Sequence, residues 1–149
     1  MFTGEYHCVV DEKNRMAIPS VLRKRIESSN NSNVLYITIG MDQCLAIYPE
    51  HQFEELVNNR IKQLPLTNKK ARNFQRLFFS NAHTLDKWDK QGRIVIPQKL
   101  KDYATLDREV VIIGILNRIE LWDKKLWDAF NKENEGKFDE IAEDITNIY

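Results

Sequence analysis

This chain of 149 residues has little of what marks the commoner enzyme, metal-binding or secreted classes. It has two cysteines, Cys8 and Cys44, far apart in the chain, so it has neither a disulfide framework nor a zinc ligand set. Both are read as reduced core residues, since free cysteine behaves as a small buried hydrophobe. It has five glycines and no Walker-type phosphate loop. The metalloprotease helix H-E-x-x-H and the nucleophile elbow G-x-S-x-G are also missing. His7, His51 and His83 are scattered and read as ordinary surface or core residues, and the pair Glu54-Glu55 reads as a solvated helix face. The chain is therefore expected not to be an enzyme, with no catalytic residue, metal, cofactor or small-molecule substrate. No run of 18 apolar residues occurs, and "MFTGEYHCVV" lacks the basic-then-apolar layout of a signal peptide. A soluble, cytoplasmic protein with no membrane partner is expected.

Net charge is absent too: 22 basic side chains balance 22 acidic ones. The balance hides a strong polarity along the chain. Between Leu56 and Leu85 there is no acid, while Arg60, Lys62, Lys69, Lys70, Arg72 and Arg76 give +6. From Asp128 onward, seven acids against Lys132 and Lys137 give −5. A field divided in this way steers a polyanion toward one face. Solvated helix faces would give the same count, so charge alone leaves both readings open.

What is present is a repeat. "DEKNRMAIP" starts at residue 11 and "DKQGRIVIP" at residue 89, 78 positions on. Asp11 matches Asp89, Arg15 matches Arg93, Ile18 matches Ile96, Pro19 matches Pro97, and Leu22 matches Leu100. Each phrase follows a β-like run, "EYHCVV" or "NAHTLDKW", and continues with the alternating residues of a half-buried strand. Asp-x-x-(Asn/Gly)-Arg reads as a hairpin turn. Asp bonds turn N–H groups, and Asn14 or Gly92 accepts positive φ. Proline then closes each strand and opens a short helix, "PSVLRKRIESS" or "PQKLKDYA". The buried-strand runs "NVLYITIG" and "EVVIIGIL" follow, then "CLAIYP" and "RIELWD", with Tyr48 and Trp122 in equivalent places.

Each half then enters a helix. Phe53, Leu56, Val57, Ile61 and Leu64 give the first its apolar face, and Leu126, Trp127 and Phe130 the second. A unit of about 75 residues is a marginal fold by itself. Two copies can cover each other's sheet faces, so one body with internal pseudo-twofold symmetry is expected. The resulting layout is a first repeat over 5–52, a helical connector over 53–82, a second repeat over 83–126 and an acidic helical tail over 127–149. In the connector, Ala71, Phe74 and Phe78 share one helical face, at about 100° per residue, and Lys69, Arg72 and Arg76 the other. The expectation is an apolar face on the body and a basic stripe outward. In the tail, Phe138, Ile141 and Ile145 make an amphipathic pattern that docks on a neighbour or frays.

"MFTGEYHCVVDEKNRMAIPSVLR", "LAIYP", "RLFFSNAHTLDKWDKQGRIVIPQKL" and "VVIIGILNRIELWD" together resemble the MraZ family of bacterial transcriptional regulators, which carry two tandem SpoVT-AbrB domains. The resemblance runs from Met1 to about Trp127 and leaves the acidic tail outside it. It departs at Asn14, where the family usually has glycine. It implies an α+β, mainly β fold: a double-split, swapped-hairpin, AbrB-like β-barrel with flanking helices, assembled into a ring-shaped homo-oligomer. It also implies sequence-specific binding of double-stranded DNA, as a nucleoid-associated repressor at repeated sites upstream of the division and cell-wall gene cluster. The D-x-x-x-R motifs are that family's DNA-contacting elements, which points to Arg15 and Arg93.

Position in the turn adds Lys13 and Lys90 as contacts, with Asp11 and Asp89 orienting the arginines. A guanidinium at a hairpin tip suits phosphate oxygens or the O6/N7 edge of guanine. A purely structural Asp–Arg pair within each turn is the competing reading, and the two are compatible. Lys69, Arg72 and Arg76 form a secondary basic face. The alternative function is an AbrB-like protein-interaction or antitoxin-type scaffold with no operator of its own.

Overall fold

The computed structural model describes residues 1–29 and 34–145. Asn33, at the head of the predicted third strand, and residues 146–149 of the tail lie outside the described residues. In chain order the elements of the first half are β1 (Glu5–Val9), β2 (Arg15–Ala17), α1 (Ser20–Ser29), β3 (Val34–Ile39), β4 (Leu45–Pro49) and α2 (Glu50–Asn59). A 3-10 turn (Ile61–Gln63) leads to α3 (Lys69–Ser80). The second half runs β5 (His83–Asp86), β6 (Arg93–Val95), α4 (Gln98–Tyr103), β7 (Glu109–Ile115), β8 (Arg118–Asp123), α5 (Lys124–Glu133) and α6 (Phe138–Asp144). The fold is α+β, with one six-stranded antiparallel sheet in the order β1-β7-β8-β4-β3-β5 and a two-stranded ribbon of β2 with β6.

Exchanging each strand for its counterpart in the other half reverses this sheet order and leaves it unchanged. The pseudo-twofold axis therefore passes between β4 and β8, which pair through Leu45–Leu121 and Ile47–Ile119. The sequence reads a hairpin turn at each Asp, and the resemblance implies hairpins swapped between the halves. After one bridge, Val10 to Met16, β2 leaves β1 and pairs with β6 of the other half, Met16 opposite Ile94. The ribbon touches β1 at one end of the sheet and β5 at the other.

Alternation along the strands builds the core. Leu35 and Ile37, Leu45 and Ile47, Val110 and Ile112, and Ile119 and Leu121 point to one face of the sheet. Met16, Ile18, Ile94 and Ile96 meet them from the ribbon, and Leu22, Ile26 and Leu100 from α1 and α4. This one cluster draws on both halves, with no separate core beneath either ribbon strand. Cys44 is buried, as expected, whereas Cys8 is only half-buried at the cluster's edge.

The opposite face carries two smaller helical covers. On the first half Phe53 of α2 stacks on Tyr36 with ring centroids 4.1 Å apart, and Phe78 of α3 stacks on Phe53 at 5.9 Å. The Thr38 hydroxyl donates to the Phe78 carbonyl at 3.2 Å and ties α3 to β3. Asn68 caps α3 by accepting from the Ala71 N–H, one of the donors a helix start leaves unpaired. On the second half Trp122 meets Trp127 and Phe130 of α5, which Asp123 caps. The expected packing of α3 is only partly met. Phe78 is buried, but Phe74 is 38% exposed and Leu77 60%, because α3 packs on β3, next to the sheet's edge strand, and leaves a cleft beside it.

The shared core makes a direct prediction. Ile18→Ala and Ile96→Ala, at 2% and 0% exposure, should each cost about 2–5 kcal/mol of stability. All three tryptophans, Trp88, Trp122 and Trp127, lie in the second half. In urea, Ile18→Ala should therefore lower the midpoint seen by tryptophan fluorescence as much as the midpoint seen by circular dichroism. Two separated transitions would mean the halves unfold independently.

Candidate nucleic-acid interface

Both Asp turns have one geometry. The Asp11 N–H donates to the Arg15 carbonyl at 2.9 Å and the Asn14 N–H to the Asp11 carbonyl at 3.0 Å. Asp89, Gly92 and Arg93 repeat both bonds at 2.9 Å. The Asp11 Oδ1 accepts from the backbone of Lys13 and Arg15, at 2.9 and 2.8 Å. The Asp89 Oδ1 accepts from Gln91 and Arg93, at 2.8 and 3.0 Å. Asn14 and Gly92 sit at φ 60° and 77°, the left-handed conformation that the turn requires. Asn14 is thus a workable substitute for glycine in this place.

The second carboxylate oxygen holds the arginine. Arg15 Nε donates to Asp11 Oδ2 at 2.7 Å, and Arg93 Nε to Asp89 Oδ2 at 3.0 Å. In neither arginine does a terminal Nη nitrogen have a partner among the described residues. The structural ion pair and a free donor fork therefore coexist in one side chain. Both carboxyls are held below the usual carboxylate range. The backbone N–H of the turn arginine is the largest cause, aided by its side chain and a second turn N–H, and partial desolvation opposes them.

The sequence reading placed these arginines at hairpin tips, and the structure corrects this. Arg15 and Arg93 are the first residues of β2 and β6, on the face of the ribbon turned away from the core. Since Arg15 pairs with Val95 and Arg93 with Ala17, the two arginines are diagonal neighbours on that face. Their Cα atoms are then about 7–8 Å apart. Ala17 and Val95 share the outward face and are exposed. Lys13 and Lys90 are exposed in the turns but are not counterparts: at an offset of 78, Lys13 falls opposite Gln91 and Lys90 opposite Glu12.

Each turn is also pinned by the other half. The Ile18 N–H donates to the Gly92 carbonyl at 2.9 Å, and the Ile96 N–H to the Asn14 carbonyl at 2.8 Å. Lys101 of α4 donates to the Asn14 Oδ1 at 3.2 Å, and the Asn14 amide donates to Gln98 at 2.9 Å. At the equivalent place, the Arg23 guanidinium of α1 packs so close to Gly92 that a Cβ there would meet its Nη1 at 2.5 Å. Arg23 and Lys101 were missed from sequence. They too are 78 positions apart, and extending the comparison of the two phrases into the helices would have found them.

The secondary basic face lies elsewhere. Lys69 and Arg76 are exposed on α3, whereas Arg72 is half-buried and donates to the Leu66 carbonyl at 2.9 Å, so it leaves the expected outward stripe. Helix α3 packs on the sheet face carrying Tyr36 and Thr38, and the ribbon on the face carrying Leu35 and Ile37. The sheet therefore separates the two basic groups. Among the other residues considered, His7 and His51 pair with Glu5 and Glu55, and His83 has a buried Nε2 with no partner among the described residues. Burial pushes the Cys44 thiol up to about 12, which keeps it protonated and inert. Among the described residues no helix is long and apolar enough to cross a membrane, and no group of three or more His, Cys, Asp or Glu could hold a metal ion.

A family model described as "MraZ protein, putative antitoxin-like" matches twice, over residues 1–77 and 78–147. The chain belongs to the MraZ family. It is 40% identical over 148 residues to the "Transcriptional regulator MraZ" of Desulforamulus reducens, covering 99% of both chains. It is 43% identical over 148 residues to the "Transcriptional regulator MraZ" of Clostridium beijerinckii, again covering 99% of both. The double match to the MraZ model divides the chain within α3, after Leu77, between the two Asp turns described above.

The lowered carboxyls in this MraZ-family chain fix the sign of a pH effect. A carboxyl whose pKa falls on folding contributes stability above its unfolded value, about 3.9 for Asp, and loses it as pH drops through the lowered folded value. Carbon-detected titration of the side-chain carboxyls should place Asp11 and Asp89 below about 3.9. A midpoint at or above that value would show that the turn bonds are not kept in solution.

Proposed function

We propose that this chain is a sequence-specific DNA-binding transcriptional regulator that reads double-stranded DNA with the outward face of the β2–β6 ribbon. One observation carries the reading: Arg15 and Arg93 lie diagonally adjacent on that face, each fixed by an Asp through Nε, with no partner for its Nη donors among the described residues. The major groove admits a two-stranded β-ribbon, and a guanidinium fork matches the O6 and N7 of guanine or the phosphate oxygens. Val95, 55% exposed between two charged turns, is placed for apolar contact with a thymine methyl group. Lys13 and Lys90 supply phosphate contacts from the turns, and Asp11 and Asp89 orient the arginines. The names of the relatives support regulation of transcription.

The finer reading is a cytoplasmic, nucleoid-associated repressor at repeated sites upstream of the division and cell-wall gene cluster. Its body is a double-split barrel in which the ribbon spans the sheet from β1 to β5. We divide it into repeats over 5–52 and 83–126, a connector over 53–82 and a tail over 127–149. One ribbon offers few contacts, and electrostatic binding of that kind fades with salt. A ring-shaped homo-oligomer that sets several ribbons on successive repeats converts modest affinity into avidity. The second reading, a protein-interaction scaffold, is favoured by the exposed apolar residues of α6. It predicts a protein that purifies free of nucleic acid at low salt.

Arg15→Ala and Arg93→Ala should each leave the fold intact, because an exposed pair of this kind contributes little to stability. DNA affinity should fall. Where the arginine binds phosphate, the slope of log affinity against log salt should shrink by about 0.9 for each phosphate no longer neutralised. Where it reads a base, discrimination between operator and scrambled DNA should fall by about 1–3 kcal/mol. A salt-titrated binding assay on DNA from upstream of the protein's own gene separates the two. If both variants bind like wild type, the ribbon is not the DNA face, and the α3 face of Lys69 and Arg76 replaces it.

A further inference from the structure

Each turn of the ribbon is covered by a cation from a helix of the other half, and the two cations are held differently. At the first turn Lys101 of α4 donates to the Asn14 Oδ1 at 3.2 Å. The Asn14 amide donates to Gln98 at 2.9 Å, and Gln98 donates to Asp102 at 2.8 Å. Lys101 is thus tied into a chain of side-chain bonds that ends on an acid. At the second turn the counterpart of Asn14 is Gly92, which has no side chain to offer. Arg23 of α1 fills that space: a Cβ at Gly92 would lie 2.5 Å from its Nη1 and 2.6 Å from its Cζ. Gly92 is buried, although the neighbouring Gln91 is exposed.

Among the described residues the Arg23 guanidinium has no hydrogen-bond or ion-pair partner. Its Nε is buried, whereas its Nη nitrogens are not among the buried unpartnered atoms, so the end of the fork reaches the surface. A partly desolvated charge with nothing to answer it is costly, and an anion brought to its Nη donors would offset that cost. Asp89, the one acid of the second turn, is committed to Gln91 and Arg93. Around this turn Arg23, Lys90 and Arg93 are three cations against Asp89 alone. Around the first, Lys13, Arg15 and Lys101 face both Asp11 and Glu12. The second turn is the stronger anion site.

We propose that Arg23 binds a DNA phosphate beside the second turn, and that its counterpart Lys101 is withheld from DNA by Asn14. This rests on the ribbon reading proposed above and adds a contact from outside the ribbon. Gly92 directly precedes Arg93, so the Arg23 fork stands one residue from the start of β6, at the edge of the proposed DNA face. A guanidinium there offers phosphate a planar pair of donors. Such a contact positions the protein on the duplex without reading sequence. The left-handed residue of each turn decides whether the covering cation is available. Asn14 captures its lysine, and Gly92 leaves its arginine open. The two halves, alike in fold, are therefore unequal in the charge they present to DNA.

The test is a salt titration of full-length variants on duplex DNA from upstream of the protein's own gene and on a scrambled duplex. Arg23→Gln removes the charge and keeps most of the stem. Its slope of log affinity against log salt should shrink by about 0.9, the value for one phosphate contact. The ratio of affinities for the two duplexes should not change. Arg23→Lys, which keeps a charge, should hold the wild-type slope. Asn14→Gly suits the turn's φ of 60° and removes the acceptor that holds Lys101. Its slope should steepen by about 0.9 as the lysine reaches a phosphate. If Arg23→Gln keeps the full slope, or loses discrimination with the slope unchanged, Arg23 only supports the turn and the phosphate contact is overturned. An unchanged slope in Asn14→Gly would overturn the capture of Lys101. Arg93→Ala separates the two levels. Wild-type binding by Arg93→Ala sinks the ribbon reading itself, whereas weakened binding there beside an unaffected Arg23→Gln sinks this inference alone.

Discussion

The pairing of β2 with β6 is the constraint on which the rest depends. A strand of three residues cannot stand alone, and neither half supplies a neighbour for its own. Each strand breaks from the strand before it after at most a bridge and takes its partner from the other half, Met16 against Ile94. The crossing bonds from Ile18 to Gly92 and from Ile96 to Asn14 extend the pairing to the turns. Removing the second copy would leave Met16 and Ile18 facing water and the Asn14 carbonyl without its donor. The repeat is therefore a condition of folding.

The same six ribbon residues divide between the core and an outward charged face by strand alternation. Met16 and Ile94 turn inward and close the core, while Arg15, Ala17, Arg93 and Val95 turn outward. Because the period is two, a slip of one residue in register would bury the arginines and expose the core side chains. The hydrophobic requirement thus fixes the orientation of the charged face. The Asp turns then set each arginine by a bond to Nε, and among the described residues its Nη nitrogens have no partner.

Much of this was legible in the sequence, and the misses have definite causes. The Asp, the left-handed Asn14 or Gly92, the arginine and the proline are local signals, and local chemistry fixed those turns as expected. Strand runs such as "LAIYP" and "RIELWD" were readable because both their faces are covered, so their apolar content is high. The partner of β2 was not readable from its residues, since a hairpin and a crossed ribbon use the same alternation. Only long-range pairing distinguishes them. Arg72 was misplaced because helical periodicity gives a direction and not the nearby Leu66 carbonyl that captures the side chain. The diagonal closeness of Arg15 and Arg93 follows from register alone, which 78 residues of separation conceal.

The central claim is that DNA is read by the ribbon face and not by the basic helix. Amine-reactive footprinting of the lysines, with and without operator DNA and read by mass spectrometry, tests it most directly. Lys13 and Lys90 report the turns, and Lys69 and Lys70 report α3, all four being exposed in the free protein. The account predicts that DNA protects Lys13 and Lys90 while Lys69 and Lys70 keep their reactivity. Protection of Lys69 and Lys70 with Lys13 and Lys90 still reactive would contradict it.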